Sequence, residues 1–135
     1  MRKVFLDTNI LVDFILQRPR FEFAKKIIEA SIEGKITCGC SILTIANVAY
    51  ICRKGQTTNS LKETLNAISE LFEVLPMDAK QLKKSIQIEC PDFEDCLQYN
   101  CAKSNDYAII VTNNPKDFPF EDVTIITAED YVKLL

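Results

Sequence analysis

The stretch VFLDTNILVDFI, residues 4–15, decides the fold of this chain. Its first three residues form a short apolar run, typical of a buried β-strand, that ends at Asp7. Thr8 or Asn9 can cap a helix that starts there, because short polar side chains accept hydrogen bonds from free backbone N–H groups. Apolar residues then recur at helical spacing, namely Ile10, Leu11, Phe14 and Ile15. A strand followed at once by a helix is the repeating unit of α/β proteins.

The remaining sequence repeats this alternation of strand and helix. Five strands are predicted in all, at residues 4–6, 36–40, 72–75, 107–111 and 123–126. About seven helices are predicted around them, and in the helix over residues 79–88 the apolar Leu82 and Ile86 are expected to be buried. Strands separated by helices pair in parallel, with helices on both faces. The sequence therefore predicts a single α/β domain over residues 1–135, a three-layer α/β/α sandwich around a parallel sheet.

The composition excludes several kinds of enzyme. The chain contains no histidine and carries a net charge of −3. Without histidine there is no Ser–His or Cys–His dyad, no imidazole general base and no histidine-rich zinc site. An acidic chain also lacks the general positive charge of proteins that coat nucleic acid. Hydrolysis by this chain would depend on carboxylates, lysines or bound metal ions.

The six cysteines give no metal-binding pattern, because no C-x-x-C pair occurs among them. Cysteine is often buried, so these side chains are predicted to be structural. The chain begins MRKVFLDTN, without an apolar signal region, and we expect a cytoplasmic protein with reduced thiols. No apolar run approaches the ~20 residues that a membrane-spanning helix needs, so no membrane partner is expected.

Three polar segments are predicted to meet at one edge of the sheet, because ligands of open α/β sheets bind beyond the carboxyl ends of the strands. Asp7 follows the first strand, residues 112–117 (TNNPKD) follow the most β-like strand, and residues 92–95 (DFED) open the helix before it. Clustered carboxylates repel one another unless cations share the site, and Mg²⁺ and Mn²⁺ prefer oxygen ligands. Such cations support phosphodiester cleavage without histidine.

These segments resemble the motifs of the PIN-domain family, and within it the VapC-like toxin ribonucleases. The similarity lies in VFLDTNILVD (residues 4–13), DFEDCLQ (residues 92–98) and TNNPKDF (residues 112–118). Their order and spacing match the family over nearly the whole chain. The resemblance implies a PIN-like fold and cleavage of RNA that depends on Mg²⁺ or Mn²⁺.

The same resemblance assigns the site residues. Asp7, Asp95 and Asp117 match the metal-binding aspartates of the family. Asn47 stands where the family carries a glutamate, and Asn114 stands where many members carry an aspartate. Both amides remove negative charge but keep an oxygen ligand, and these five residues form the expected catalytic set. Four more residues are expected to contact the ligands rather than the metal, namely Asn9, Thr112, Asp92 and Glu94.

Local structure offers a simpler explanation for some of these positions. Asp7 and Asp92 could serve only as helix caps, and residues 112–117 could serve only to shape a turn. Asp13 lies one helical turn beyond Asn9, on the same face of the helix, but it is expected to be exposed to solvent rather than part of the site.

The basic and aromatic residues give weak signals for RNA binding. Arg53-Lys54 and the other basic pairs are typical of solvated helix faces. Arg53, Lys54 or Lys116 would contact RNA phosphates if they flanked the site. Aromatic residues lie mostly at core spacing, so a platform on which bases could stack is not evident.

Three functions are compatible with these observations. The first is a metal-dependent endoribonuclease, the toxin of a toxin–antitoxin pair, for which the family implies an RNA substrate, a cognate antitoxin and a homodimer. The second is a PIN-like module that binds RNA or protein with little or no cleavage, because two of the usual acids are amides. The third is a phosphatase of the haloacid-dehalogenase type or a receiver domain. Both fit poorly, and the phosphatase would need D-x-D after the first strand, where this chain has Asp7-Thr8-Asn9.

Overall fold

The computed structural model describes residues 2–135. Met1, which the predicted domain includes, lies outside the described residues. The strands are β1 Arg2–Leu6, β2 Ile36–Ser41, β3 Glu73–Leu75, β4 Ile109–Val111 and β5 Thr124–Ile126. The helices in the described part of the chain are α1 Thr8–Ile15, α2 Phe21–Ile32, α3 Ile42–Cys52, α4 Thr58–Leu71, α5 Ala79–Gln87, α6 Phe93–Ser104, α7 Ala128–Val132 and a 3-10 turn, Pro115–Asp117.

The five strands form one parallel sheet in the order β3-β2-β1-β4-β5, with β1 in the centre. Side chains alternate across β1, so Val4 and Leu6 pack with α1 to α4 and α7, whereas Phe5 packs with α6 on the other face. Helices therefore cover both faces of the sheet, as the sequence predicted. Within residues 2–135, no helix combines the length and the apolar character needed to cross a membrane.

The strand order places a topological switch point between β1 and β4. The chain runs outward from β1 through β2 to β3, then returns to β4 on the other side of β1. Leu6 is paired with Val111, and the Asp7 backbone N–H donates to the carbonyl oxygen of Val111 at 3.0 Å. The residues that leave the two strands, Asp7 and Thr112, are therefore neighbours at the edge where α/β proteins bind ligands.

Helix α5 is formed as predicted, but the prediction of its buried face was wrong. Leu82 and Ile86 are exposed, whereas Gln81 and Ser85 are buried. The Ser85 hydroxyl donates to the carbonyl oxygen of Gln81 and accepts from the side-chain amide of Asn100 on α6, at 2.8 and 2.9 Å. Helix α5 therefore packs on α6 through a polar seam, and this turns its apolar face toward solvent.

Asp13 is also buried, although a solvated acid was expected. Its carboxylate accepts a hydrogen bond from the side-chain amide of Asn113 at 2.8 Å. The amide satisfies the buried acid and ties α1 to the loop after β4.

The expectation that all thiols are reduced was wrong, because Cys90 and Cys96 form a disulfide. Their Cα atoms lie 6.4 Å apart, within the range that a disulfide spans. The first turn of α6 brings Cys96 toward residue 90, and spacing in the sequence does not reveal such an approach. The cytoplasmic location stays a prediction. The free cysteines are buried, as predicted, and are Cys38, Cys40, Cys52 and Cys101.

Candidate metal-dependent active site

A cavity of about 320 Å³ lies at the carboxyl edge of β1 and β4. The structure brings eight of the nine predicted site residues to its wall and places Thr112 behind Asp7. Three further residues line it that the sequence did not single out for the site, namely Thr8, Tyr50 and Ile51. The predicted residues in the wall are Asp7, Asn9, Asn47, Asp92, Glu94, Asp95, Asn114 and Asp117.

Asp7 is the most firmly held of these side chains and is only 6% exposed. One carboxylate oxygen accepts from the backbone N–H of Thr8 at 2.8 Å, so Asp7 caps α1 in place of the predicted Thr8 or Asn9. The other oxygen accepts from the Thr112 hydroxyl at 2.9 Å. Burial raises the pKa of Asp7, repulsion from Glu94 and Asp92 raises it further, and the two hydrogen bonds oppose this.

Helix α6 brings three acids to the cavity through its first turn. Asp92 is its N-cap, since its carboxylate accepts from the backbone N–H of Asp95 at 3.2 Å. Asp92 thus caps the helix and also lines the cavity. Burial, followed by repulsion from the carboxylates of Asp7, Asp92, Asp117 and Glu94, raises the pKa of Asp95 to about 7.

Asn47 projects from the middle of α3 toward the acids of α6. Its side-chain N–H donates to a Glu94 carboxylate oxygen at 2.5 Å and lies 3.4 Å from the hydroxyl of Thr8. Asn47, at the position where the family carries a glutamate, therefore contacts the carboxylate of Glu94.

The last segment enters the site through the 3-10 turn. The Asp117 backbone N–H donates to the Asn114 carbonyl oxygen at 3.0 Å, and the Asn114 N–H donates to the Thr112 hydroxyl at 3.1 Å. The turn thus connects Asp117 to the hydroxyl that orients Asp7. Residues 112–117 therefore do form a turn, and this turn places Asn114 and Asp117 at the cavity.

A buried polar network supports the floor of the site, and its role was not predicted. The Gln98 side chain accepts from the Ser41 hydroxyl at 2.6 Å and donates to Thr44 at 2.9 Å. The hydroxyls of Thr44 and Thr8 lie 3.1 Å apart. Gln98 lies one helical turn after Asp95, and this spacing was the signal available in the sequence. The network joins β2, α3 and α6 beneath Asp7.

The donor chemistry of the cavity suits a divalent cation. All the acids and amides in its wall offer oxygen atoms, the ligands that Mg²⁺ and Mn²⁺ prefer. Burial is the main cause of the raised pKa values of Asp7 and Asp95, and the neighbouring carboxylates add repulsion that a cation would relieve. Among residues 2–135, no three acid or cysteine side chains already converge closely enough to complete a metal site.

Comparison with known proteins agrees with the motifs. A family model described as the PIN domain matches residues 3–116. Ribonuclease VapC1 of Aquifex aeolicus (strain VF5) is 27% identical over 135 residues, which cover 96% of this chain and 92% of the relative.

The fold is similar to solved structures of toxin–antitoxin proteins. DNA-bound VapBC from Salmonella typhimurium has a TM-score of 0.70 at 20% identity, covering 95% of this chain and 99% of that one. VapBC2 from Rickettsia felis bound to a promoter DNA fragment has a TM-score of 0.68 at 19% identity, covering 91% and 96%. These similarities confirm the predicted fold.

Proposed function

The chain belongs to the PIN-domain family, and from this we propose that it is a divalent-metal-dependent endoribonuclease. The observation that carries the proposal is the meeting of Asp7, Asp95 and Asp117, from three distant segments, around one cavity. The relative named as a ribonuclease supports RNA as the substrate.

Asp7, Asp95 and Asp117 would hold Mg²⁺ or Mn²⁺, with Asn114 as a neutral oxygen donor. A bound cation would lower the pKa of an attacking water and stabilise the charge that develops on the phosphodiester. Thr112 and the Thr8 backbone keep the Asp7 carboxylate turned into the cavity.

Asp92 and Asn9 have supporting roles in this proposal. Asp92 fixes the start of α6 and so the position of Asp95, while Asn9 contributes an amide to the cavity wall.

The test is cleavage of a single-stranded RNA by the purified protein with Mn²⁺, with Mg²⁺ and with excess chelator. We expect cleavage with either metal and a loss of at least about 100-fold with chelator, because charge neutralisation by the cation is lost. Binding of Mn²⁺ is measured in parallel by calorimetry. A protein that binds RNA but neither takes up Mn²⁺ at millimolar concentration nor cleaves would be the non-cleaving binding module instead.

Glu94 supplies the carboxylate that position 47 lacks. Asn47 donates to Glu94 at 2.5 Å, and both side chains line the cavity. Repulsion from Glu94 also acts on Asp7 and on Asp95, so its charge lies close to both. In this arrangement Asn47 would be a positioning residue that holds the Glu94 carboxylate at the cavity, where it could contribute to a cation site.

An exchange of the two side chains tests this role. We expect Glu94→Gln to weaken Mn²⁺ binding about tenfold, because it removes a negative donor or its orienting contact. The double variant Asn47→Glu/Glu94→Gln should recover most of the affinity, since the carboxylate returns on α3. Glu89→Gln, an exposed glutamate outside the cavity wall, is the matched control and should bind as wild type does. If the double variant binds Mn²⁺ no more tightly than Glu94→Gln does, the proposed roles of Asn47 and Glu94 are refuted.

A protein partner of the antitoxin type would bind at a second, apolar cleft. This cleft of about 200 Å³ lies between α1, α2 and α4 and is lined by Leu11, Phe14, Ile15, Ile28, Thr64, Ala67, Ile68, Leu71 and Phe72. Several similar structures are toxin–antitoxin complexes, which supports such a partner. A cleft of this composition suits the apolar face of a partner helix. The homodimer stays a prediction.

Charge placed in the cleft tests the partner site. We expect Ala67→Glu to abolish co-purification of the protein encoded by a neighbouring antitoxin-like reading frame, because a carboxylate would be buried without a partner. RNA cleavage by the isolated chain should be unchanged, since Ala67 does not line the acidic cavity. Ser69→Glu, on the same helix but outside the cleft wall, is the control. Co-purification that survives Ala67→Glu would place the partner elsewhere.

A further inference from the structure

Tyr50 lies at the cavity wall and is unusually exposed for a tyrosine in this fold. It is 66% exposed, whereas Tyr99, Tyr107 and Tyr131 are all buried in the core. An aromatic side chain that stays mostly in water contributes less to folding than a buried one, because it removes less apolar surface from solvent. Packing therefore does not account for Tyr50.

Arg53 is stacked on Tyr50. Its guanidinium lies 3.8 Å from the centroid of the tyrosine ring, and it donates a hydrogen bond to the Tyr50 carbonyl oxygen. The two residues are three apart at the end of α3, so the helix itself brings them together. The result is an aromatic ring at the cavity with a cation fixed over one of its two faces.

The Tyr50–Arg53 pair adjoins a cavity whose wall is strongly acidic. Five acids line the wall, and no lysine or arginine of residues 2–135 does. Without a bound cation such a wall repels the phosphates of an approaching RNA, and a positive side chain beside the wall adds attraction to that of the cation. Lys54 and Lys116 are exposed and do not line the wall, whereas Arg53 is fixed to a residue that does.

We propose that Tyr50 and Arg53 form a docking platform for single-stranded RNA, on which an unpaired base stacks on the face of Tyr50 opposite Arg53 while Arg53 contacts the neighbouring phosphate. The inference rests on the proposed ribonuclease function and assigns two residues that would hold an unpaired segment beside the cavity. Aromatic rings accept bases of any identity once these are unstacked from a helix. In double-stranded RNA the bases remain stacked on one another and cannot reach the ring.

The experiment measures binding of a labelled single-stranded RNA, and of its duplex, by fluorescence anisotropy in an Asp95→Asn background that does not cut. We expect Tyr50→Ala to weaken single-strand binding about tenfold and to leave the weaker duplex binding unchanged. Tyr50→Phe should bind as the parent does, because the ring is kept. Arg53→Gln should reduce the dependence of affinity on salt by about one counterion. Ile86→Ala, an equally exposed apolar residue on α5, is the control and should change nothing.

With Asp95 intact, Tyr50→Ala should raise KM for the same RNA about tenfold with little change in kcat. Equal affinity of Tyr50→Ala and its parent, or an equal loss on duplex, would overturn the platform while the ribonuclease proposal stands. If the wild-type chain neither binds nor cleaves any RNA, the proposed function itself fails, and the platform with it.

Discussion

Replacing Asp95 by asparagine is expected to reduce RNA cleavage at least about 100-fold while making the metal-free protein more stable above pH 7. Cleavage falls because the variant removes a negative oxygen ligand from the group formed with Asp7 and Asp117. The fold should survive, because asparagine has the shape of aspartate. The first turn of α6 is capped by Asp92 rather than by Asp95.

The gain in stability follows from the pKa of Asp95. This pKa is raised to about 7 in the folded chain, mainly by burial and then by the neighbouring carboxylates. The folded state therefore holds the proton more tightly than the unfolded chain does. The stability contributed by the protonated acid is present below about pH 4 and is lost as the pH rises through 7. Because solvent screens this half-buried group, we expect Asp95→Asn to add only about 1 to 2 kcal/mol to the free energy of unfolding at pH 8.

Urea unfolding in chelator at pH 4.5 and pH 8 measures the effect, and cleavage with Mn²⁺ measures the activity. Wild type and Asp95→Asn should differ little in the free energy of unfolding at pH 4.5 and clearly at pH 8. Asp130→Asn, an exposed aspartate on α7, is the control and should alter neither cleavage nor the pH dependence. Cleavage within threefold of wild type would remove Asp95 from the catalytic set.

The sequence predicted which distant segments meet at the cavity because the rules that bring them together act over long distances. A parallel sheet built from alternating strands and helices must place the ends of β1 and β4 at one edge. Asp7 and residues 112–117 could therefore be paired across a hundred residues of chain. The helix that Asp92 caps was also predicted, and its first turn lies at the same edge.

The details that were missed depend on contacts between particular side chains. Periodicity identifies residues that share a face of α5, but Ser85 faces α6 because Asn100 donates a hydrogen bond to it, and Gln81 is buried one turn before Ser85. The contact from Asn47 to Glu94 links two helices, and no spacing rule connects them. The pairing of Cys90 with Cys96 likewise requires the turn to be known first.

Gly39, in the middle of β2, is a further close contact of this kind. A Cβ atom built on it would lie 2.6 Å from the ring carbon Cζ and from the hydroxyl oxygen of Tyr107. The Tyr107 ring cannot swing aside, because it is 1% exposed and packs edge-on against Phe5 with the Lys3 ammonium 4.5 Å from its centroid. The absence of a side chain at residue 39 is therefore what lets Tyr107 lie flat on the sheet.

Gly39→Ala is expected to lower the free energy of unfolding by about 3 kcal/mol and the Tm by roughly 10 °C, because overpacking forces the ring or the strand to move. Gly34→Ala adds the same methyl group where no atom lies within 4 Å, although its φ of +78° disfavours a side chain. It should therefore cost only about 1 kcal/mol. In a Tyr107→Leu background, Gly39→Ala should cost less free energy of unfolding than it does in the wild type, since the smaller side chain leaves room for the methyl group. Thermal unfolding of the four variants decides the matter, and a Gly39→Ala protein as stable as wild type would mean that Tyr107 is not held against β2.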